Sequence, residues 1–418
     1  MVQLEFLAPE LLGMSCSIYH ETNNNADWKQ WNGSEEPSKP LYHQLLNVTL
    51  PTKPVSIADL EQIALDKLPK LVRQYYEGGA EDEITLRENI TSLQRLNVPF
   101  AVGPSAFHRL AGYDGELDVA RAAAKRGIAM GLSSSSTSSL EDVIKVGKTA
   151  REEIEEGSRQ ENEGFKLQDS DWWQQLYVCD QRTSDTEDFI QRSEKAGYTA
   201  LLITVDRPYL GRRLASLREK FELPLHLRRA SGEKMAQGEQ IAHYLLNPSM
   251  HWHELIPWLR SKTKMKILVK GILHPEDAAL ALKHGLDGVV VSNHGGRQLD
   301  AAPATIDALP AIADVIQGRI PIFFDGGIRK GLDVYRALAL GADVVLLGRA
   351  VLWGLAAAGE EGVGLALDII AEEFKLVMAL TGVTDITQIR RSTLALVDPA
   401  HVGLKTLSDP SWEDRRPI

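Results

Sequence analysis

Eight short runs of apolar, β-rich residues recur along the chain, and each is continuous rather than alternating with polar positions. They read "VPFAVGP", "IAMGLSS", "QQLYV", "ALLITVD", "KILVKG", "GVVVSNHGG", "IPIFFDGG" and "ADVVLLGRA". A strand that is apolar at every position is buried on both faces, the condition of a parallel sheet covered by helices. Most runs are followed by a helical segment, such as "GELDVARAAAKRG", "DTEDFIQRSEKAG", "HPEDAALALKHG" and "GLDVYRALALG". Eight such units predict the α/β class and a (β/α)8 TIM barrel; a doubly wound open sheet is the alternative, but it does not need eight repeats. At 418 residues the chain can form such a barrel as one domain.

The flanking segments set the boundaries. Residues 1–52 are polar and broken by Asn, Gly and Pro, and read as an irregular N-terminal extension. The barrel unit spans 53–395, preceded within it by a helical pattern that Ser56 caps and Gly78-Gly79 end, and 396–418 form a C-terminal tail. "REEIEEGSRQENEGFKLQDSD" reads as a solvated acidic excursion before the third strand. "SLREKFELPLHLRRASGEKMAQGEQIAHYLLNPSM" is a long insertion after the fourth, either a lid or a plain surface loop.

The C-terminal ends of the apolar runs carry the chemistry. The third ends near Gln175 and Tyr177, the fourth in Thr204 and Asp206 with Arg213 following, and the fifth in Lys270. The sixth ends in Ser292-Asn293-His294 and Arg297, the seventh in Asp325-Gly326-Gly327 with Arg329, and the eighth in Gly348-Arg349. In a barrel these ends converge on one mouth. A single histidine or lysine after a strand is ordinarily a loop residue or one that snorkels to water, and Gly-Gly is ordinarily a turn. Convergence of charged groups at strand ends four to eight is what one ligand site explains together. "DGGIRKG" and the Gly348-Arg349 pair match the usual barrel phosphate site, where glycines let backbone N–H groups approach an anion and an arginine supplies charge. A single phosphate suits a mononucleotide cofactor, and no Gly-x-Gly-x-x-Gly follows the early strands. Lys270 is suited to stabilising negative charge on that cofactor, and His294 to acting as a base oriented by Asp206. Arg213 and Arg297 are suited to a substrate carboxylate.

Totals exclude other classes. A net charge of −11 argues against nucleic acid as partner, and two cysteines, Cys16 and Cys179, exclude a disulfide framework and fit a reducing compartment. No His/Glu cluster shows metal-ligand spacing, so no metal is expected. The best membrane candidate, "ADVVLLGRAVLWGLAAAG", carries Asp343 and Arg349, so no span is expected. Without a signal peptide or a Ser-Lys-Leu ending, the expected location is cytoplasmic.

"SNHGGRQLD", "LPKLVRQYYEGGAED", "TVDRPYLGRR", "LVKGI", "FFDGGIRKG" and "LALGADVVLLGR" strongly resemble the FMN-dependent α-hydroxy acid oxidase and dehydrogenase family, over roughly 55–395. That family includes glycolate oxidase, lactate oxidase, mandelate dehydrogenase and the flavocytochrome lactate dehydrogenases. The resemblance implies oxidation of an L-2-hydroxy acid to the 2-oxo acid, with flavin N5 accepting electrons and molecular oxygen or another acceptor reoxidising the cofactor. It implies His294 as base, Asp206 as its partner, Arg297 and Arg213 on the substrate carboxylate, and Tyr75 and Tyr177 at the reacting centre. For FMN the matching positions are Pro104, Ser105, Ala106, Ser133, Gln175, Thr204, Lys270 and Ser292. Asp325, Gly326, Gly327, Arg329, Gly348 and Arg349 fall to its ribityl and phosphate end. It further implies a homotetramer. A non-redox FMN-binding barrel is one alternative, which the intact His294, Arg297 and Arg213 set disfavours; a non-catalytic FMN-binding relative is the other, for which the missing hairpin and the acidic insertion speak.

The chain departs from this pattern in three places. "SLQRLNVPFAVGPSAF" runs straight through where the family has some tens of residues with a small hairpin. Ser135 stands where glycolate oxidases have Trp, which leaves room for a substrate larger than glycolate. The extension holds His20 and His43 but no His-Pro-Gly-Gly, so no haem domain is expected.

Overall fold

The computed structural model describes residues 54–78, 100–160, 171–178, 184–220, 223–224, 227, 248–397 and 404–411. The N-terminal extension, both cysteines, the "SLQRL" junction, and most of the insertion after the fourth strand and of the C-terminal tail lie outside them. The expected strands form one closed, all-parallel barrel in chain order. They are β1 (Phe100–Val102), β2 (Met130–Leu132), β3 (Trp172–Leu176), β4 (Ala200–Thr204), β5 (Lys266–Ile272), β6 (Gly288–Val291), β7 (Ile322–Asp325) and β8 (Val344–Leu347). Closure is made by β8 on β1, with Phe100 opposite Val345 and Val102 opposite Leu347.

Two helices precede the barrel, α1 (Ile57–Lys67) and α2 (Lys70–Glu77). The sequence pattern suggested one continuous helix, but Pro69 has no amide hydrogen and an extended ψ of 145°, so the chain turns there. Ser56 caps α1 as expected, in a reciprocal box with Asp59. Ile57, Leu60 and Ala64, at helical spacing, bury α1 against the last helix.

The outer ring comprises α3 (Glu116–Ala124), α4 (Leu140–Gln160), α5 (Ser184–Ala196), α6 (Leu214–Arg218), α7 (Trp252–Lys262), α8 (Pro275–Lys283), α9 (Thr305–Ile316), α10 (Gly331–Ala339) and α11 (Arg349–Thr381). Ala358 and Gly359 leave helical geometry inside α11, dividing it in two. Two expectations are corrected. The acidic excursion was read as beginning at Arg151, yet α4 continues through Gln160, because its Glu- and Arg-rich stretch is a good helix former. The third strand begins at Trp172, ahead of the quoted "QQLYV", because both tryptophans are buried in the ladder. A separate antiparallel pair, β9 (Ala395–Val397) and β10 (Leu404–Thr406), follows the barrel.

The barrel has two apolar layers. Outward residues of each strand join the helices in the main core, while Ala101, Trp173, Ala200, Leu202, Leu268, Val290, Phe323 and Leu346 form a separate cluster on the axis. Trp173 and Phe323 meet edge to face across it, with ring centroids 5.0 Å apart. This plug is the floor of the site above it. Trp173→Ala should cost about 3–5 kcal/mol of stability in chemical denaturation, the range for deleting a large buried aromatic. A loss below about 1 kcal/mol would mean the axis is not packed as described.

Candidate functional site

Strand side chains alternate, so the residue two positions beyond each floor residue faces inward again, at the mouth. Those residues are Gly103, Gln175, Thr204, Lys270, Ser292, Asp325 and Gly348, following Ala101, Trp173, Leu202, Leu268, Val290, Phe323 and Leu346. All but Gly103 were expected as site residues. The structure brings them to one mouth, where the polar ones form two hydrogen-bonded groups.

On one side of the mouth, Gln175 joins three strands. Its carbonyl oxygen accepts from the Ser134 amide at 3.1 Å and the Ser133 hydroxyl at 3.3 Å, and its amide donates to Thr204 at 3.0 Å. On the other side, the Lys270 ammonium lies 2.6 Å from Asp325 Oδ2 and donates to Ser292 Oγ at 2.6 Å. Burial works against the Lys270 charge, but Asp325 and Asp206 outweigh it and hold the ammonium above the ordinary lysine range.

The loop after β6 carries His294, with a left-handed φ of 59°, which turns its ring into the mouth. His294 Nδ1 is 2.9 Å from Asp206 Oδ1, and Nε2 is 3.3 Å from the Tyr177 hydroxyl. Burial pushes the imidazole below its ordinary range. Asp206 opposes this, while Lys270 and Arg207 add to it, so the ring is neutral at neutral pH. Asp206 is driven the other way: burial would raise its carboxyl, but His294, Lys270 and Arg207 outweigh burial and keep it ionised. Gly271, at φ 109°, makes room for this carboxylate, since a Cβ there would stand 2.6 Å from Asp206 Cβ. A neutral imidazole bonded to a buried carboxylate is a base whose conjugate acid is already provided for.

The two arginines expected to bind the substrate adjoin. Arg213, buried, donates from Nε to the Arg297 carbonyl at 3.4 Å. Arg297 donates to the Tyr75 and Gly78 carbonyls at 2.5 and 2.9 Å and lies 5.0 Å over the Tyr75 ring. Tyr75 in turn packs on Phe107, with centroids 5.8 Å apart. Ser135 is buried within the run that follows β2, donating its amide to Ser133 Oγ at 3.1 Å and accepting from the Phe107 amide at 3.2 Å.

Pro104, Ser105 and Ala106 leave β1 at the mouth, and Ser105 Oγ is 2.7 Å from His108 Nε2. Arg329 and Arg349 are placed less directly than the sequence suggested. The Arg329 guanidinium pairs with Glu61 of α1, and Arg349 donates to the carbonyls of Tyr76 at 2.7 Å and Gly295 at 3.0 Å. Gly326 and Gly327 have φ of 113° and 77°, and their amides donate to no protein acceptor among the described residues.

Three groups were not anticipated. Arg207 lies 4.6 Å over the Tyr177 ring, and its only sequence signal is that it follows Asp206. Glu116, fully buried, accepts from the His108 amide, the Thr137 amide and hydroxyl, and the Ser138 hydroxyl at 2.7–3.0 Å. His108 is also fully buried, and burial lowers its pKa. Nothing in the local pattern distinguishes these two from ordinary helix-start and loop residues.

FMN suits these residues. Asp325 Oδ1 is buried without a hydrogen-bond partner, ready to accept from a ribityl hydroxyl. The Lys270 cation stands beside it, the Gly326 and Gly327 amides can receive an anion, and beside Gly348 there is nothing within 4 Å of where a Cβ would stand. Among the described residues no cluster of metal-ligating side chains occurs, and no helix is long and apolar enough to cross a membrane.

A family model described as FMN-dependent dehydrogenase matches residues 94–396. The 2-hydroxyacid oxidase 1 of Homo sapiens is 40% identical over 384 residues, covering 82% of this chain and 98% of that protein. Glycolate oxidase 1 of Zea mays is 38% identical over 370 residues, covering 80% and 94%. Among solved structures, mandelate oxidase with benzoyl-formic acid superposes with a TM-score of 0.70 at 36% identity, covering 81% of this chain and 97% of that one.

The geometry makes a prediction independent of any substrate. In an NMR titration of ring-labelled histidine, His294 should titrate below the ordinary value of 6.5, because burial outweighs Asp206. Asp206→Asn removes the group that favours the imidazolium, so the value should fall further. A rise in that variant would contradict the electrostatic account.

Proposed function

The chain belongs to the FMN-dependent dehydrogenase family and is an FMN-dependent 2-hydroxyacid oxidoreductase, and from that premise we propose how its mouth handles the substrate and which acids it prefers. The observation that carries the reading is the Asp206–His294–Tyr177 line, at 2.9 and 3.3 Å, beside the two arginines. Arg213 and Arg297 bind the carboxylate and thereby orient the 2-hydroxyl carbon. Oxidation to the 2-oxo acid removes two electrons and two protons. His294 Nε2 takes up one of those protons, and the ionised Asp206 stabilises the imidazolium that results. Tyr177 donates a hydrogen bond to the reacting oxygen. FMN, when bound, would supply the acceptor for the two electrons and the other proton, and Lys270 would stabilise negative charge on it. The phosphate end falls to the Gly326-Gly327 amides, Gly348, Arg329 and Arg349. Molecular oxygen is the proposed final acceptor, in keeping with the oxidases to which the chain is similar.

Ser135 supports a preference for acids larger than glycolate. It is a small, buried residue of the run that leaves β2 at the mouth, and its carbonyl accepts from Phe107, whose ring packs on Tyr75. Removing a large side chain from a pocket wall favours larger ligands by the apolar area they bury.

Mixing holoprotein anaerobically with a panel of L-2-hydroxy acids should abolish the visible flavin absorbance, fastest with long or aromatic members. Bleaching by none of them would favour a non-catalytic or non-redox FMN barrel, and glycolate reacting fastest would overturn the size preference. His294→Gln should lower the rate of bleaching by about 10²–10⁴-fold, the usual contribution of a positioned base. An unchanged rate would remove His294 from the chemistry.

A further inference from the structure

The catalytic pair and the arginine pair each join the same two loops. The loop after β4 carries Asp206 and Arg213, and the loop after β6 carries His294 and Arg297. These strands are not neighbours: each exit is laddered to β5 between them, through the Val205 and Ser292 amides, and only contacts between the loops themselves join them directly.

We propose that Gln298 is the positioning residue of this site, a side-chain clasp that fixes the β6 loop against the β4 loop so that Asp206 meets His294 and Arg213 meets Arg297. The inference rests on the reading of the mouth as a 2-hydroxy acid site. Gln298 Nε2 donates to the carbonyls of Asp206 at 2.8 Å and Tyr209 at 2.9 Å, and its Oε1 accepts from the Gly211 amide at 3.1 Å. One primary amide thus spends both its N–H groups and its carbonyl on the backbone of a single facing loop. The match is specific to glutamine: a carboxylate has no donors for the two carbonyls, and methionine has neither donor nor strong acceptor.

The backbones beneath the clasp are in direct contact. A Cβ at Gly211 would stand 2.4 Å from the Arg297 carbonyl oxygen, 2.6 Å from that of Gln298 and 2.7 Å from Gln298 Cα. Only a glycine lets the loops approach this closely. The anchor points also matter. The Asp206 carbonyl that Gln298 holds belongs to the residue whose carboxylate receives His294, and the Arg297 carbonyl beside Gly211 receives Arg213 Nε. Releasing the clasp therefore loosens both pairs at once, while the floor cluster contains neither Gln298 nor any residue of its three bonds.

The test compares Gln298→Met and Gln298→Glu with wild type as FMN-loaded protein. Two readouts are used: steady-state turnover of the best acid from the panel, and binding of oxalate, a non-reacting carboxylate probe, followed by perturbation of the flavin absorbance. Gln298→Met should keep its flavin spectrum and thermal midpoint, bind oxalate about tenfold more weakly and lose about a hundredfold in kcat, the cost of misplacing reacting groups by about 1 Å. In Gln298→Glu the ionised carboxylate faces two carbonyl oxygens, and protonation restores one donor. Its oxalate affinity relative to wild type should therefore recover as pH falls, whereas that of Gln298→Met should not. Wild-type oxalate affinity and kcat in Gln298→Met, or a Glu-to-wild-type ratio that does not change with pH, would overturn the proposal. If wild type oxidises no acid but still binds oxalate in a Gln298-dependent way, the clasp stands and the reading of the reaction falls.

Discussion

The site depends on one geometric constraint: side chains in a parallel barrel alternate between the axis and the helices. Once Trp173, Leu202, Leu268, Val290, Phe323 and Leu346 fill the axis, the inward positions two residues later have only the mouth to occupy. Gln175, Thr204, Lys270, Ser292 and Asp325 stand at those positions, from five consecutive strands. The apolar plug and the polar ring are therefore one construction. A single-residue slip in any strand would exchange a mouth residue for one facing the helices.

The second layer of the account is electrostatic compensation. Lys270 and Asp206 bring charge to a buried region, which burial alone would neutralise. Lys270 and Asp206 are each kept ionised by close groups of opposite sign, while burial, helped by cations on two sides, keeps His294 neutral. The arrangement leaves a base, an anion and a cation side by side. It also leaves one carboxylate oxygen of Asp325 without a protein partner, which a ligand hydroxyl can satisfy.

Much of this was legible in the sequence, because a continuous apolar run followed by a polar residue reports both strand and mouth. "GVVVSNHGGR" announces the β6 core and the His294 loop in ten letters, and "FFDGG" does the same for β7. Helix boundaries were less legible. The acidic stretch after Ala150 has a composition that suits both a solvated loop and an exposed helix face, and only its continuity with α4 decides. Arg207 and Glu116 were not legible, since their contacts come from other segments, the ring of Tyr177 and the Thr137-Ser138 run, and His108 was not, because its local contacts with Ser105 and Glu116 carry no sequence motif. Arg329 and Arg349 show the limit from the other side. Their types and spacing suit a phosphate, but Glu61 and the carbonyls of Tyr76 and Gly295 also claim their guanidinium groups, and those partners are invisible to a local motif.

The central claim is that the inward layer above the plug is what holds the cofactor. Titrating flavin-free protein with FMN, and following the quenching of flavin fluorescence, tests it through Lys270, the one cation of that layer among the residues named. The account predicts saturation at one equivalent for wild type and an affinity about tenfold weaker or more for Lys270→Met, the scale of one lost charge-assisted contact. Equal affinity in the two proteins would place FMN somewhere other than this ring and contradict the account.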